Sequence, residues 1–299
     1  MCLLLLRSHS GIFFLGCLLM VFVWSIDRVQ AVSEINVKQF DALKTRLIDD
    51  GFDKNTIQKI YRRPAVRFET QGVSLFLVHR ESVLNYDQFT SRKAIQKARK
   101  YMEKYAPELG NAEKIYGVDQ KIITAIILVE TQLGTVMGRR SVLNTLSTIA
   151  SLADREVREM FWTLVVSSNK RYAGLTKADF ERRAIRKAKW AYSELKAFLE
   201  YTIQEGMDPV KIKGSYAGAL GISQFMPSSI LHYAQDGNND GQIDLFSHAD
   251  AIASVASYLK RNGWHKEITT TKASKVIYRY NRSQYYVNTI LKISELLKG

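Results

Sequence analysis

Glu130 is the residue whose type and setting point most directly to chemistry. It lies in the segment KIITAIILVETQ, residues 121–132, as a single carboxylate in an almost wholly apolar run. Ile123 and Ile127 precede it by seven and three residues, which places them on the same face of a helix. Loss of water around the carboxylate disfavours its charged form, so we expect a raised pKa. A carboxyl group that stays protonated near neutral pH can act as a general acid. The structural alternative is a buried Glu that pairs with an Arg.

A glycine-rich segment, KGSYAGALGISQFMPSS at residues 213–229, is the second candidate. Its glycines allow sharp turns and close approach of backbone to a ligand. Gln224 supplies a neutral donor and acceptor beside the apolar Phe225. The alternative interpretation is a tight turn that binds nothing.

An acidic loop follows at residues 236–250. Oxygen-bearing side chains fall at loop positions 1, 3 and 5, Gly241 stands at position 6, and position 7 offers a backbone carbonyl. This spacing is typical of an EF-hand calcium loop. Position 12 is Ser247, where a bidentate Glu is expected, and Asp250 three residues later can close the shell. The predicted ligands are Asp236, Asn238, Asp240, Gln242 and Asp250. An Asx-rich turn without metal is the alternative.

The segment YRYNRSQYY at residues 278–286 contains four tyrosines and Asn281. Aromatic faces stack on the C–H surfaces of sugars, and an amide can bind a hydroxyl or an N-acetyl group. The segment therefore favours carbohydrate binding. Tyrosines are also common at the edge of a core, so this pattern is weak by itself.

The composition indicates which type of binding partner to expect. The chain has 299 residues, is 46% hydrophobic and 24% charged, and carries a formal net charge of +14. This excess of positive charge favours an anionic partner. We find no RNP-type, zinc-finger or P-loop motif, so nucleic acid has no specific support and none is predicted.

The N-terminal segment predicts export. Residues 11–24 form an apolar run that is too short for a typical membrane-spanning helix and fits a secretory signal. Val29 and Ala31 suit cleavage after Ala31, so residues 1–31 are predicted to be a signal peptide. A retained signal anchor and lipidation at Cys17 are the alternatives, and either would attach the chain to a membrane. Cys2 and Cys17 are the two cysteines of the chain. The mature protein would therefore lack a disulfide, a cysteine nucleophile and a thiolate metal site.

Helical periodicity dominates the remaining sequence. Residues 66–78 are rich in β-branched and aromatic side chains and are predicted to be extended or irregular. A small β element is expected near residues 216–222 and around the loop after Gln235. The sequence therefore predicts a mainly α (α+β) fold. The predicted helices are residues 37–48, 53–61, 91–105, 121–132, 142–153, 156–166, 177–202, 249–262 and 283–297.

These motifs, in this order, resemble the lytic murein transglycosylases of the membrane-bound transglycosylase B type. The resemblance covers roughly residues 36–296, and the run GALGISQFMPSS is its most specific part. It implies a lysozyme-like catalytic core with extra helical segments in residues 32–299, of which residues 32–118 form an N-terminal helical part. The matching runs are residues 116–118, 129–131 with Gly134, 143–148, 214–229, 236–241, 251–264 and 280–283.

The family resemblance implies a reaction and a set of residues. Members cleave the β-1,4 bond between N-acetylmuramic acid and N-acetylglucosamine in peptidoglycan and leave a 1,6-anhydromuramyl end, with one Glu acting as acid and then as base. Glu130 would be that residue, and the calcium of the acidic loop would be structural. A monomer acting on glycan strands in the periplasm or cell envelope is expected. The implied substrate-binding residues are Ser215, Gln224, Phe225, Tyr258, Tyr280, Asn281 and Arg155.

Two other functions remain open at this point. A hydrolytic muramidase on the same scaffold would need a second carboxylate across the sugar, and the sequence offers no convincing one. A non-catalytic glycan-binding protein would keep the groove, but it has no evident need for a desolvated Glu130.

Overall fold

The computed structural model describes residues 39–78, 85–167 and 174–298. The predicted signal segment, with Cys17 and the cleavage point after Ala31, lies outside these residues. Of the helices described, none is long and apolar enough to cross a membrane.

The described part of the chain is built from helices joined by short connections. The helices are α1 (Asp41–Asp49), α2 (Lys54–Tyr61), α3 (Thr70–Val78), a 3₁₀ turn (Asp87–Thr90), α4 (Arg92–Lys104), α5 (Ala106–Tyr116), α6 (Gln120–Thr131), α7 (Val142–Ser151), α8 (Arg155–Phe161) with a π-helical continuation (Trp162–Val166), α9 (Lys177–Gln204), α10 (Pro227–Tyr233), α11 (His248–Arg261), α12 (Thr270–Tyr280) and α13 (Gln284–Leu296). Strands β1 (Arg140–Ser141) and β2 (Lys213–Gly214) pair antiparallel, with Arg140 opposite Gly214 and Ser141 opposite Lys213.

Two hydrophobic clusters hold these helices together. The first surrounds the packed pair α7 and α9 and includes residues of α1, α2 and α10. The second surrounds α6 and includes residues of α4, α5, α11, α12 and α13. Every residue of α7 is buried. In α6, Ile122 through Leu128 are buried without a break. Helices that are apolar on all sides belong in a core, because each face needs a partner.

The N-terminal helices divide between the two clusters. Residues of α1 and α2 pack with α7, whereas residues of α4 and α5 pack with α6. The structure therefore distributes the described residues of the predicted N-terminal part, residues 32–118, over both cores. Its boundary at residue 118 stays a prediction.

The structure departs from the predicted elements in a few segments. Residues 66–69 are irregular as expected, but Thr70–Val78 is a helix, not an extended segment. Its residue Val73 is fully buried in the first cluster, so packing overrides the local β preference. Helix α12 was not predicted, although Ala273, Val276 and Ile277 are buried at helical spacing.

The small β element also differs in place. The paired strands are β1 and β2, and the loop after Gln235, residues 236–247, contains no strand. The predicted region at residues 216–222 contributes isolated bridges of Leu220 to Gly214 and Phe225. Single bridges are all that this region can form, because its glycines and turns interrupt any longer run.

Candidate active site

Glu130 occupies the last turn of α6, where the apolar helix meets the surface. It is half-buried, not fully buried as the apolar run implied. The phenol of Tyr286 donates a hydrogen bond to its Oε1 atom at 2.7 Å. Tyr286 is 1% exposed. Burial and then the charge of Glu130 hold the pKa of Tyr286 well above its usual value, so this phenol keeps its proton and remains a donor.

Tyr286 is a site residue that the sequence analysis did not single out. It belongs to the tyrosine-rich segment, and Ser283 caps its helix, α13. The first turn of α13 therefore faces Glu130 on α6, and the two helices pack together. The signal available in the sequence was a tyrosine within a segment already assigned to sugar binding.

The end of α6 is set by backbone geometry. Gln132 is the C-cap in the left-handed region at φ 49°, and its N–H donates to the carbonyl of Leu128 at 3.0 Å. The helix thus ends at Thr131. Thr131 donates through its hydroxyl to the carbonyl of Ile222 at 2.9 Å, which ties Glu130's helix to the glycine-rich segment.

An aromatic cluster adjoins Glu130. The rings of Tyr280 and Tyr286 are parallel, with centroids 6.4 Å apart. Tyr280 lies 4.8 Å from Tyr258 and 5.8 Å from Phe225, centroid to centroid, and its hydroxyl donates to the carbonyl of Ser223 at 2.7 Å. The structure therefore brings together three predicted substrate-binding residues, Phe225, Tyr258 and Tyr280.

Gln224 connects this cluster to a cleft. Its backbone is left-handed at φ 49°, and its Nε2 atom donates to the carbonyls of Gly221 at 2.8 Å and Met137 at 3.3 Å. These bonds fix the side chain where it lines a cleft of about 840 Å³. Ser215 lines the same cleft, and its hydroxyl accepts the N–H groups of Ala217 and Ala219.

Two glycines let the walls of the cleft approach each other. A Cβ on Gly138, where φ is +89°, would stand 2.1 Å from the carbonyl oxygen of Gly214. A Cβ on Gly214 would stand 2.2 Å from that of Ala219. Only glycine permits this packing of three backbone segments. The cleft is lined by Ala65, Arg67, Glu69, Gln71, Val136, Gly138, Arg139, Arg140, Ser141, Asn144, Lys213, Gly214, Ser215, Tyr216 and Gln224.

The remaining predicted residues lie differently. Asn281 directly follows Tyr280 as the C-cap of α12 and is half-buried. Arg155 is exposed as the first residue of α8 and is absent from the cleft lining. Arg155 has the least structural support among the predicted substrate-binding residues.

The acidic loop connects α10 to α11. The N–H of Asp240 is shared by Asp236 Oδ1 and Asn238 Oδ1, both at 3.2 Å, so these oxygens converge. Asp236 Oδ2 accepts the N–H of Gly241 at 2.8 Å, and Asp240 Oδ1 accepts that of Gln242 at 2.9 Å. Within the part of the chain described here, no three His, Cys, Asp or Glu side chains could hold a metal by themselves.

Asp250 closes this loop from α11. It is 1% exposed, and its two carboxylate oxygens accept the N–H groups of Gly237 at 2.9 Å and Asp244 at 2.7 Å. Burial raises its pKa. A donor set of carboxylate, amide and carbonyl oxygens fits a hard cation such as Ca²⁺, although Asp250 already serves as a backbone clamp.

The fold and the site together define a helical protein with one half-buried carboxylate beside a cluster of aromatic side chains. The family model described as transglycosylase SLT domain matches residues 36–273, and the chain belongs to this family. Membership confirms the resemblance seen in the sequence and the mainly helical, lysozyme-like fold.

Individual relatives agree with this assignment. The chain is 35% identical over 179 residues to the membrane-bound lytic murein transglycosylase B of Escherichia coli K12, across 60% of this chain and 41% of that protein. The match therefore spans about two fifths of that protein's length.

Solved structures extend the similarity to most of the fold. The soluble lytic transglycosylase SltB1 from Pseudomonas aeruginosa is 26% identical, with a TM-score of 0.68 over 87% of this chain and 97% of that one. The Escherichia coli lytic transglycosylase SLT35 in complex with calcium is 24% identical, with a TM-score of 0.68 over 88% and 92%.

Proposed function

We propose that this protein is a peptidoglycan lytic transglycosylase. It would cleave the β-1,4 bond between N-acetylmuramic acid and N-acetylglucosamine and leave a 1,6-anhydromuramyl end. The observation that carries the proposal is Glu130, a half-buried carboxyl group held by Tyr286 beside an aromatic cluster. Membership in the transglycosylase family and the names of the relatives support it.

The reaction needs one group that first gives and then takes a proton. Protonated Glu130 donates its proton to the glycosidic oxygen as the bond from that oxygen to the muramyl C1 breaks. The resulting carboxylate accepts the proton of the muramyl C6 hydroxyl, and the hydroxyl oxygen bonds to C1. No water enters, and Glu130 ends protonated as it began.

The hydrogen bond from Tyr286 fixes one oxygen of Glu130 throughout this cycle. The other oxygen, Oε2, is then the one that carries the proton to and from the sugar. Intramolecular attack by the C6 hydroxyl has a high effective concentration, so positioning supplies much of the rate. Gln224, Ser215 and Asn281 would orient the sugar by polar contacts. Tyr258 and Tyr280 would offer aromatic faces, backed by Phe225, which is 3% exposed.

The charges along the cleft disfavour a two-carboxylate hydrolase. Among the described residues that line the cleft, the carboxylate is Glu69, and it forms a salt bridge with Arg140 at 2.8 Å. A carboxylate held by a guanidinium is poorly suited to activate a water. A hydrolytic muramidase is therefore the second candidate, and a glycan-binding protein without activity is the third.

Calcium would stabilise the acidic loop without taking part in the reaction. The proposed ligands are Asp236, Asn238, Asp240, Gln242 and Asp250. The loop leads into α11, which carries Tyr258. A well-ordered loop would therefore help to position the aromatic cluster. The related SLT35 structure was solved with calcium.

The proposed substrate places the protein in the periplasm or cell envelope. Residues 1–31 would direct export as a cleaved signal peptide, or attach the chain to the inner or outer membrane if retained. We propose that it acts as a monomer on glycan strands and does not bind nucleic acid.

Replacing Glu130 by Gln should abolish cleavage of purified sacculi while the fold remains intact. Gln has nearly the same size but cannot transfer a proton, and loss of an essential general acid costs on the order of a hundredfold or more. Release of soluble muropeptides measures the activity, and circular dichroism checks the fold. Glu267→Gln is the matched control, since Glu267 is exposed. Near-normal activity of Glu130→Gln would rule out Glu130 as the acid.

Tyr286→Phe should lower kcat/KM about tenfold, since a hydrogen bond to a charged group is worth about 1.5 kcal/mol or more. The neighbouring Tyr285 is 69% exposed, so Tyr285→Phe should leave cleavage unchanged. Initial rates on sacculi compare the two variants. If both behaved alike, the bond to Glu130 would have no role in positioning the acid.

The reaction type can be read from the products. Digestion in oxygen-18 water should leave the new muramyl ends unlabelled and lighter by one water than hydrolytic ends, because the C6 oxygen comes from the sugar. Mass spectrometry of the muropeptides measures both properties. Labelled reducing ends as the main product would favour the muramidase instead.

The calcium proposal predicts a metal-dependent stability. Calcium that binds only the native protein raises its melting temperature by mass action. Calcium in place of chelator should raise the melting temperature of wild type but not that of Asp240→Ala. Cleavage should persist in the presence of chelator. Equal melting of wild type with calcium and with chelator would identify the loop as an ordinary turn.

A further inference from the structure

The cleft beside Gln224 carries a concentrated positive charge. Its lining includes Arg67, Arg139, Arg140 and Lys213, against the single carboxylate of Glu69 among the described residues. Arg140 is neutralised, because its Nη1 atom lies 2.8 Å from Glu69 Oε1. Salt bridges of the described residues involve none of the other three cations.

The backbone that carries Arg67 is held in place. The N–H of Arg67 donates to Asn144 Oδ1 at 3.2 Å, and Asn144 Nδ2 donates to the carbonyl of Ala65 at 2.9 Å. The N–H of Glu69 donates to Thr148 Oγ1 at 2.8 Å. These hydrogen bonds attach the irregular segment to α7. They hold the backbone of Arg67 on one side of the cleft.

Arg139 and Lys213 stand on the β1–β2 side. Ser141, two residues after Arg139, pairs with Lys213 across the ladder. The close contact of Gly138 with the Gly214 backbone joins the two segments at the cleft. Three exposed cations around one concavity, none in a salt bridge with a described residue, give this cleft a positive potential that attracts an anion.

We propose that Arg67, Arg139 and Lys213 select glycan strands whose attached peptides carry free carboxylates. The inference rests on the proposed function, because Ser215 and Gln224 in the same cleft would contact the muramyl sugar that bears the peptide. Guanidinium groups bind carboxylates through paired N–H donors, and an ammonium group adds a point charge. A peptide whose carboxylates are amidated offers no charge to these groups and binds less well.

The selection should act on binding more than on the chemical step. The cations line the cleft, whereas Glu130 is not among the residues that line it. They would therefore bind substrate and transition state alike, which changes KM and leaves kcat nearly constant. Loss of a hydrogen bond to a charged partner corresponds to about a tenfold change or more.

The test compares two substrates prepared from one batch of soluble glycan strands. One keeps its peptide carboxylates, and in the other they are converted to carboxamides with carbodiimide and ammonia. Steady-state cleavage is measured for wild type and for the double variant Arg139→Gln/Lys213→Gln. The control is Lys266→Gln, an exposed lysine near the opposite, N-terminal end of α6.

Wild type should cleave the free-acid strands with a kcat/KM at least about tenfold higher than the amidated strands. The double variant should lose this preference through a higher KM for the free-acid strands alone, while Lys266→Gln keeps it. Equal wild-type rates on both substrates would overturn the inference, as would a variant that slows both equally. Absence of anhydro products from either substrate with wild type would instead refute the proposed function.

Discussion

The structure of the site depends on holding one carboxyl group, that of Glu130, at the edge of an apolar core. Seven successive residues of α6, Ile122 to Leu128, are buried, so the helix cannot rotate to give Glu130 more water. The helix ends one residue after Glu130 in a left-handed cap at Gln132. Tyr286 from α13 then supplies the hydrogen bond that the buried side of the carboxyl group requires. Burial, helix end and donor together set the position of the group that performs the proposed chemistry.

The glycine-rich segment is what joins this carboxyl group to a binding surface. Leu220 and Phe225 pack in the first hydrophobic cluster, whereas Ile222 packs in the second. The segment therefore spans both cores within six residues, and Gln224 between these anchors adopts a left-handed backbone. Anchoring on both sides offsets the strain of that conformation and fixes the side chain of Gln224 at the cleft.

The acidic loop in turn helps to position the aromatic cluster. Asp250 in the first turn of α11 accepts two backbone N–H groups of the loop, so the loop and the helix form one unit. Further along α11, Tyr258 donates through its hydroxyl to the carbonyl of Arg279 at 2.7 Å and so contacts α12 just before Tyr280. A cation bound in the loop would thus affect the position of the aromatic cluster through α11, without contacting a sugar.

The sequence by itself determined the helical class and most boundaries of the predicted helices, and it indicated Glu130 as the candidate acid. These follow from local causes: apolar periodicity, capping residues such as Asp53 and Ser91, and a single carboxylate in an apolar run. It also located the glycine-rich, acidic and tyrosine-rich segments. Only the tertiary structure decided that Tyr286 is the partner of Glu130, because residues 156 positions apart meet through helix packing that no local pattern encodes. The helix at Thr70–Val78, the pairing of β1 with β2 and the group of cations that line the cleft arise in the same way, from segments distant in the chain.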